Sequence, residues 1–258
     1  MRKLGLKKSL LDFRAPRFGA LRYAKKKARE SVVNRPNPNA RMLLNDVLSD
    51  CTAAGMGNSL SAVSALQGWK LDISDKNALE FYEGSSGFNP SKGNDNGCTG
   101  PDALNFAVNK GFNTGNGRYY GIWGNIDSDD QNGIANTIGD LGVCAFGVDL
   151  SLSDMKQIDA ENDNCVLTKD NTKYGDNTPG SAGGHFLLGY EYTGLDSDDV
   201  VTLITWGETT VKCTWDWLEN RIVEAHGIIW PQLRKADGSY CGEDFDAVIE
   251  ECKHYAAL

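Results

Sequence analysis

From Asp50 to Trp69, apolar residues return at three- and four-residue steps: Met56, Leu60, Val63 and Leu66. That spacing draws a single apolar stripe along a helix. Asp50 is a suitable N-cap, which puts Cys51 in the first turn. A second helix is expected near Ala78–Tyr82. The stretch Ser85 to Gly100 is rich in glycine and asparagine and reads as loop. Pro101 then stands where a helix accepts it, at its first position. Leu104, Phe106 and Ala107 give that helix an apolar side, and Gly111 ends it. A further helix runs from a cap at Ser128 through Ile134, Ile138 and Leu141 to Gly142.

Beyond Gly142 the period becomes that of strands. Val143–Leu150, His185–Thr193, Asp199–Trp206, Thr210–Trp217 and His226–Trp230 are short runs rich in β-branched and aromatic residues. A polar insertion, about Ser151–Gly184, interrupts them. Residues 242–258 read as a terminal helix with Phe245, Val248, Ile249 and Cys252 on one face. Helices first and strands later predict an α+β protein of two lobes. The expected division is a basic arm over 1–41, a helical lobe over 42–125 and a β-rich lobe over 126–258.

Length and charge refine that picture. With 258 residues, 40 % of them apolar, the chain can bury one large core or two lobes sharing a cleft. No apolar run approaches the ~20 residues that cross a bilayer. The basic N-terminus lacks the apolar stretch and cleavage site of a secretory signal. A soluble protein without its own export address is expected. Residues 1–41 carry 13 basic and 2 acidic side chains, +11, and the remainder carries -20, which together give the net -9. Such an arm implies something negative to dock on: a protein partner, nucleic acid or the acidic body itself. The acidity of the main domain argues against direct nucleic-acid binding by it. Pro16, Pro36 and Pro38 break any long helix in the arm, leaving Ala20 to Ser31 as a basic helix.

The cysteines, at 51, 98, 144, 165, 213, 241 and 252, are odd in number and irregular in spacing. They predict reduced thiols rather than a disulfide scaffold. With three histidines and no Cys-x-x-Cys pair, neither a metal centre nor a cofactor is expected. Asp159, Glu161 and Asp163 alternate like a calcium loop, but the glycine at the sixth position of that motif is missing. His226 reads as a core histidine, and Trp206, Trp215, Trp217 and Trp230 read as packing.

Cys51 is the leading candidate for chemistry. A thiol at a helix N-terminus meets the positive end of the macrodipole and unpaired amides, both of which favour thiolate. The small residues Thr52-Ala53-Ala54-Gly55 leave room around it. His185 opens an apolar strand behind Gly183-Gly184, where paired glycines allow close backbone approach. Thr205-Trp206-Gly207 closes the following strand.

On these residues the chain resembles the papain-like cysteine peptidases, over roughly residues 42–230. Asn45-Asp-Val-Leu-Ser-Asp-Cys51 resembles the nucleophile segment, with Asn45 standing for the family's oxyanion-hole glutamine. Gly97-Cys98-Thr99-Gly100 resembles the glycine-rich loop lining the substrate cleft, and Gly184-His185 to Gly189-Tyr190 the histidine strand. His185 follows Cys51 by 134 residues, within the roughly 130–150 typical there. The segment Asn-Asp…Asp-Cys-Thr-Ala-Ala, the Gly-Gly-His strand and the Thr-Trp-Gly turn further resemble a divergent branch found in bacteriophage genomes. The resemblance implies a helical lobe followed by an antiparallel β-barrel-like lobe. It also implies a thiol hydrolase of peptide-like bonds using Cys51, His185 and Asn45, supported by Thr205 and Trp206, with Gly97 and Gly100 against substrate. The expected location is the host cytoplasm or a phage particle.

Four departures stand against that chemistry. The asparagine that orients the family's histidine is replaced by Ile204, the residue after the nucleophile is Thr52, and Leu48 removes the usual disulfide to the Cys98 loop. Pro101, at the second loop glycine, has no amide hydrogen for an extended substrate. These departures motivate an alternative, a non-catalytic virion structural or binding protein on the same fold. A third reading makes residues 1–41 an inhibitory pro-segment.

Overall fold

The computed structural model describes residues 2–9, 27–247 and 249. Its first half is helical. Helix α1 (Cys51–Leu66) is buried along nearly its whole length. Helix α2 (Asp75–Ser86) starts at a reciprocal capping box between Ser74 and Asn77 and ends at Gly87, whose φ of 72° is the left-handed stop that glycine takes freely. Helix α3 (Gly100–Asn109) is capped by Thr99 and carries Pro101 in its first turn. These helices meet around Phe81, whose ring stacks on Phe112 and meets Phe106 edge-on, with centroids 5.0 and 5.1 Å away. A small hairpin, β1 (Phe112–Asn113) with β2 (Arg118–Tyr119), follows.

The second half is built on a sheet of seven strands. They are β3 (Ile122–Ile126), β4 (Cys144–Leu150), β5 (Val166–Leu167), β6 (Gly183–Tyr192), β7 (Val200–Ile204), β8 (Lys212–Thr214) and β9 (Ile222–Ile229), in the order β3-β9-β4-β6-β7-β8-β5. Every pairing is antiparallel except β5 with β8. The expected barrel is corrected here: β3 and β5 stand at opposite edges, and among the described residues no ladder joins them. Helix α4 (Gln131–Leu141) covers one face, and its cap is Asp130, not Ser128, accepting from the Gly133 amide at 2.8 Å. The polar insertion contains α5 (Leu152–Ala160), started by a capping box between Ser151 and Asp154. Hairpin β10 (Ser239–Tyr240) with β11 (Glu243–Asp244) follows, and residues 245–247 and 249 after it are helical.

Two runs depart from their expected type. Thr210–Trp217 is strand only at β8 and turns into α6 (Trp215–Arg221). The helical step brings Trp217 and Arg221 onto the same buried carboxylate, Asp154, at 3.0 and 2.9 Å, so tertiary bonding outweighs the aromatic content that suggested strand. Strand β3 was not foreseen, because Gly124 and Asn125 dilute a five-residue run.

Of the expected basic helix at 20–31, residues 20–26 lie outside the described residues, and 27–31 are not helical. Residues 248 and 250–258 of the expected terminal helix also lie outside, while Phe245 is buried. Residues 27–41 are strapped to the body. Val32 pairs with Tyr192 through both backbone bonds. The Arg35 guanidinium donates to the carbonyls of Ile138, Gly139, Gly142 and Tyr190 at 2.6–3.1 Å. It thereby satisfies carbonyls at the C-terminal end of α4, where the macrodipole favours a cation. Among the described residues, no helix is long and apolar enough to cross a membrane.

Replacing Arg35 by alanine would strand those carbonyls. Arg35→Ala is expected to lower unfolding free energy by about 2–4 kcal/mol in urea titrations, with little change in the urea slope.

Candidate active site

Cys51 is the first residue of α1 and is buried. The Asp50 carbonyl starts the helix by accepting from the Ala54 amide at 3.0 Å, but the Asp50 side chain does not cap it. The helix lies directly on β6: a Cβ placed on Gly55 would come within 2.7 Å of the Phe186 ring. That close approach lets the Phe186 backbone bond the Cys51 sulfur. His185 is the residue before Phe186 on β6.

His185 is held from two directions. Its Nε2 lies 2.8 Å from the Thr205 hydroxyl oxygen. The Trp206 ring stacks on the imidazole at 4.1 Å with planes 10° apart. The other ring nitrogen, Nδ1, is buried without a partner. Thr205 therefore supplies a hydrogen bond that Ile204 cannot. The turn after β7 is strained, since Trp206 has φ 46°, a region bulky residues avoid. Gly207 follows at φ 81°, and a Cβ there would meet the Met42 amide nitrogen at 2.5 Å. The segment leading into α1 thus wedges the turn that presents the tryptophan.

Asn45 is buried, and its Nδ2 donates to the Leu48 carbonyl at 3.3 Å. Asp95 ties this segment to the Gly97–Gly100 loop. Its carboxylate accepts from the Ser49 amide at 3.0 Å and the Tyr82 hydroxyl at 2.7 Å, and that hydroxyl accepts from the Gly97 amide at 3.0 Å. Sequence reasoning missed this bridge, as Asp95 sits in a stretch read only as loop.

Residues 2–9 run through the cleft between that loop and β6. The Lys3 amide donates to Asn45 at 3.0 Å, Leu6 to Gly184 at 3.2 Å and Lys7 to Cys98 at 2.9 Å, while the Cys98 amide donates to Gly5 at 2.9 Å. A Cβ on Gly97 would sit 1.9 Å from the Gly5 oxygen, and one on Gly5 would sit 1.9 Å from the Ser49 oxygen, so both positions require glycine. The pairing residue of the loop is Cys98, not Gly100 or Pro101. Arg2 bonds Asp159 and Asp163 and covers Trp206 at 5.5 Å, so a guanidinium occupies the loop that alternated like a calcium site. Among the described residues, no group of three or more His, Cys, Asp or Glu side chains is placed to hold a metal ion. Six cysteines in the described residues are free thiols.

Burial sets the charges. It pushes the Cys51 thiol up to about 12, although the Phe186 and Gly5 backbones favour thiolate. It pulls His185 down to about 3. With residues 2–9 in place, both groups are neutral at pH 7. The helix N-terminus alone does not make the thiolate that it favours, because desolvation by burial outweighs it. Burial also pushes the Asp50 carboxyl up to about 8, against a smaller pull from the Asn45 side chain.

The fold of the whole chain recurs in solved structures. Xylellain, a cysteine protease from Xylella fastidiosa, superposes with a TM-score of 0.64 at 12 % identity, covering 89 % of this chain and 98 % of that one. The fold is papain-like. Digestive procathepsin L 3 of Tenebrio molitor larval midgut matches with a TM-score of 0.55 at 16 % identity, over 88 % of this chain and 76 % of its own. Procathepsin B S9 from Trypanosoma congolense matches at 0.56 and 11 %, over 89 % and 86 %. No family model matches the chain, and no curated protein matches its sequence.

The Asp50 carboxyl gives the papain-like core a testable pH dependence. The native state keeps a proton that the unfolded chain releases near pH 3.8. This contribution to stability is complete below that value and is lost as pH rises towards 8. Asp50→Asn should therefore match the parent near pH 4 and melt higher at pH 8, by about 5 °C or more. Equal melting temperatures at every pH would show that the carboxyl is not held neutral.

Proposed function

We propose that this protein is a papain-like thiol hydrolase of peptide-like bonds whose cleft is closed in the described state by its own residues 2–9. The observation carrying the proposal is the setting of His185. A histidine bonded through Nε2 to Thr205 and stacked on Trp206 has a fixed plane, and its free Nδ1 is the nitrogen left for proton transfer.

The chemistry follows from that setting. Once the arm leaves and water enters, the desolvation that raises the Cys51 pKa and lowers that of His185 is relieved. The thiol proton passes to Nδ1, and the sulfur attacks the carbonyl carbon. The oxyanion takes hydrogen bonds from the Cys51 amide and from Asn45, whose Nδ2 must turn from the Leu48 carbonyl; one such donor is typically worth about 10²–10³ in rate. His185 returns the proton to the leaving amine, giving a thioester. Water then attacks the thioester carbon, with His185 taking its proton and delivering one to the departing sulfur.

The competing reading, a non-catalytic component of a phage particle, takes its motives from Ile204, Pro101 and a basic arm able to thread into a neighbouring subunit. Thr205 makes the bond to the histidine, and Cys98 makes the backbone pairing in the cleft, so neither departure favours that reading. The pairing also favours the pro-segment reading of the arm. Its Leu6 runs parallel to Cys98, and its backbone bonds both walls of the cleft.

Gly5→Ala tests the closed state, since its methyl must displace the arm from Ser49. Alkylation of Cys51 by iodoacetamide should accelerate about tenfold or more. Hydrolysis of peptide substrates should rise with it and vanish in Cys51→Ala. Thr205→Val should lower kcat about tenfold or more with KM little changed. A freed Cys51 that reacts as an ordinary thiol, unaffected by His185→Ala and with no hydrolysis, would overturn the proposal.

A further inference from the structure

Asp50 stands at the N-cap of α1, where an aspartate ordinarily accepts from the first free amides of the helix. Here it makes no such bond. Asp50 has no exposed surface, and among the described residues neither carboxyl oxygen has a hydrogen-bonding partner. Burying such a group unpaired is costly. The group that bears this cost directly precedes the nucleophile.

Acidic and neutral titratable groups face it from each side. Asp46 comes from the same turn, Asp95 from the loop, Tyr82 from α2 and Cys51 from α1. The Asp95 carboxylate is fixed by the Ser49 amide at 3.0 Å and the Tyr82 hydroxyl at 2.7 Å, so it stays close and opposes a second negative charge. Burial first, and these neighbours after it, keep Asp50 the neutral acid up to about pH 8. The strongest pull towards the charged form comes from the Asn45 side chain. In the described state the Asn45 Nδ2 turns to the Leu48 carbonyl at 3.3 Å, a long bond. It is a donor with a weak partner and a second acceptor near by.

A protonated carboxyl donates one hydrogen bond, whereas a carboxylate only accepts. The neutral acid therefore suits the Asn45 Oδ1 and leaves Nδ2 to the other side of the amide. The carboxylate competes for Nδ2 itself. We propose that Asp50 is a positioning residue, whose neutral form keeps the Asn45 Nδ2 available to the oxyanion and whose charged form withdraws it. The proposal rests on the thiol-hydrolase reading of Cys51 and Asn45, and it gives that reaction an alkaline limit belonging to neither Cys51 nor His185. A charged Asp50 also opposes thiolate at Cys51. That effect acts on every reaction of the sulfur, while the loss of Nδ2 acts only where a tetrahedral oxygen forms.

Two probes of Cys51 separate these effects in the full chain carrying Gly5→Ala. Iodoacetamide loses iodide to the sulfur, the thiol proton goes to solvent, and no tetrahedral oxygen forms. An acetylated dipeptide aldehyde adds the thiol across its carbonyl: sulfur bonds carbon, and the proton passes to the oxygen that Nδ2 would hold. Between pH 6.5 and 9 the aldehyde affinity should fall about tenfold or more relative to the alkylation rate. In Asp50→Asn, whose amide donates at every pH, that ratio should stay level. In Asn45→Ala it should be low and level. A decline in either variant equal to that of the parent would overturn the proposal. If neither probe reaches Cys51, the hydrolase reading fails, and the Asn45 side-chain amide resonance of the unsubstituted chain decides the positioning role. It should shift with a midpoint near pH 8 and stay fixed in Asp50→Asn. A parent resonance that ignores pH would overturn the role.

Discussion

The backbone pairing of residues 3–7 with Asn45, Cys98 and Gly184 governs the rest of the site. These bonds tie one short segment to the turn before the nucleophile helix, the glycine-rich loop and the histidine strand at once. They remove water from Cys51 and His185, and with it the solvation that would stabilise a thiolate and an imidazolium. The same pair that sequence marks as reactive is therefore neutral where the arm lies over it. The charges of the arm act at its ends, through Arg2 on Asp159 and Asp163 and Lys8 on Asp149. The Lys8 pair is exposed and contributes little, being screened by salt, whereas Arg2 is largely buried in its pair with Asp163. The hold on residues 2–9 thus combines the Arg2 pairs, the central backbone bonds and Leu6.

The parts of this fold that follow local rules could be read from the chain. Helix α1 with Cys51 in its first turn, α3 behind Pro101, and the strands β4, β6 and β7 come from periodicity and punctuation, which are local. His185 and the Thr205-Trp206 turn were legible because glycines flank both. What could not be read depends on contacts between distant segments. Nothing local turns residues 215–221 into a helix; that choice is made by Asp154, which binds both Trp217 and Arg221. The open sheet follows from where β3 and β5 end, and neither run is long enough to announce itself. The arm's basic charge suggested something acidic to dock on, with the body itself one of the choices. That residues 2–9 lie in the cleft depends on Gly5 and Gly97 fitting each other, which no composition reveals.

The residue that orients the histidine illustrates how a departure in sequence need not be a departure in chemistry. An asparagine carbonyl and a threonine hydroxyl can both accept from Nε2–H, but a hydroxyl can also donate. With Thr205 as acceptor, the proton sits on Nε2, and Nδ1 carries the lone pair that removes a thiol proton. With Thr205 as donor, Nδ1 carries the proton instead, and the base is lost. The hydroxyl therefore leaves the tautomer less constrained than an amide oxygen would. The stacking of Trp206 fixes the plane of the ring but not its proton.

Acid and base effects at the site then oppose each other. A histidine pulled down to about 3 by burial costs stability as pH falls below its ordinary 6.5, because the unfolded chain binds a proton that the native chain refuses. Asp50, pushed up to about 8, costs stability as pH rises. The closed site is most stable between these limits, near weakly acidic pH. Release of the arm exposes the His185 side of the balance to water, so acid that destabilises the closed state also favours the open one. The side chains acting on Asp50 are Asn45, Asp95 and Asp46 rather than residues of the arm, so its burden is not tied to the arm's charges. The coupling between pH and arm release therefore runs through His185, on the strand whose Gly184 carbonyl accepts from Leu6.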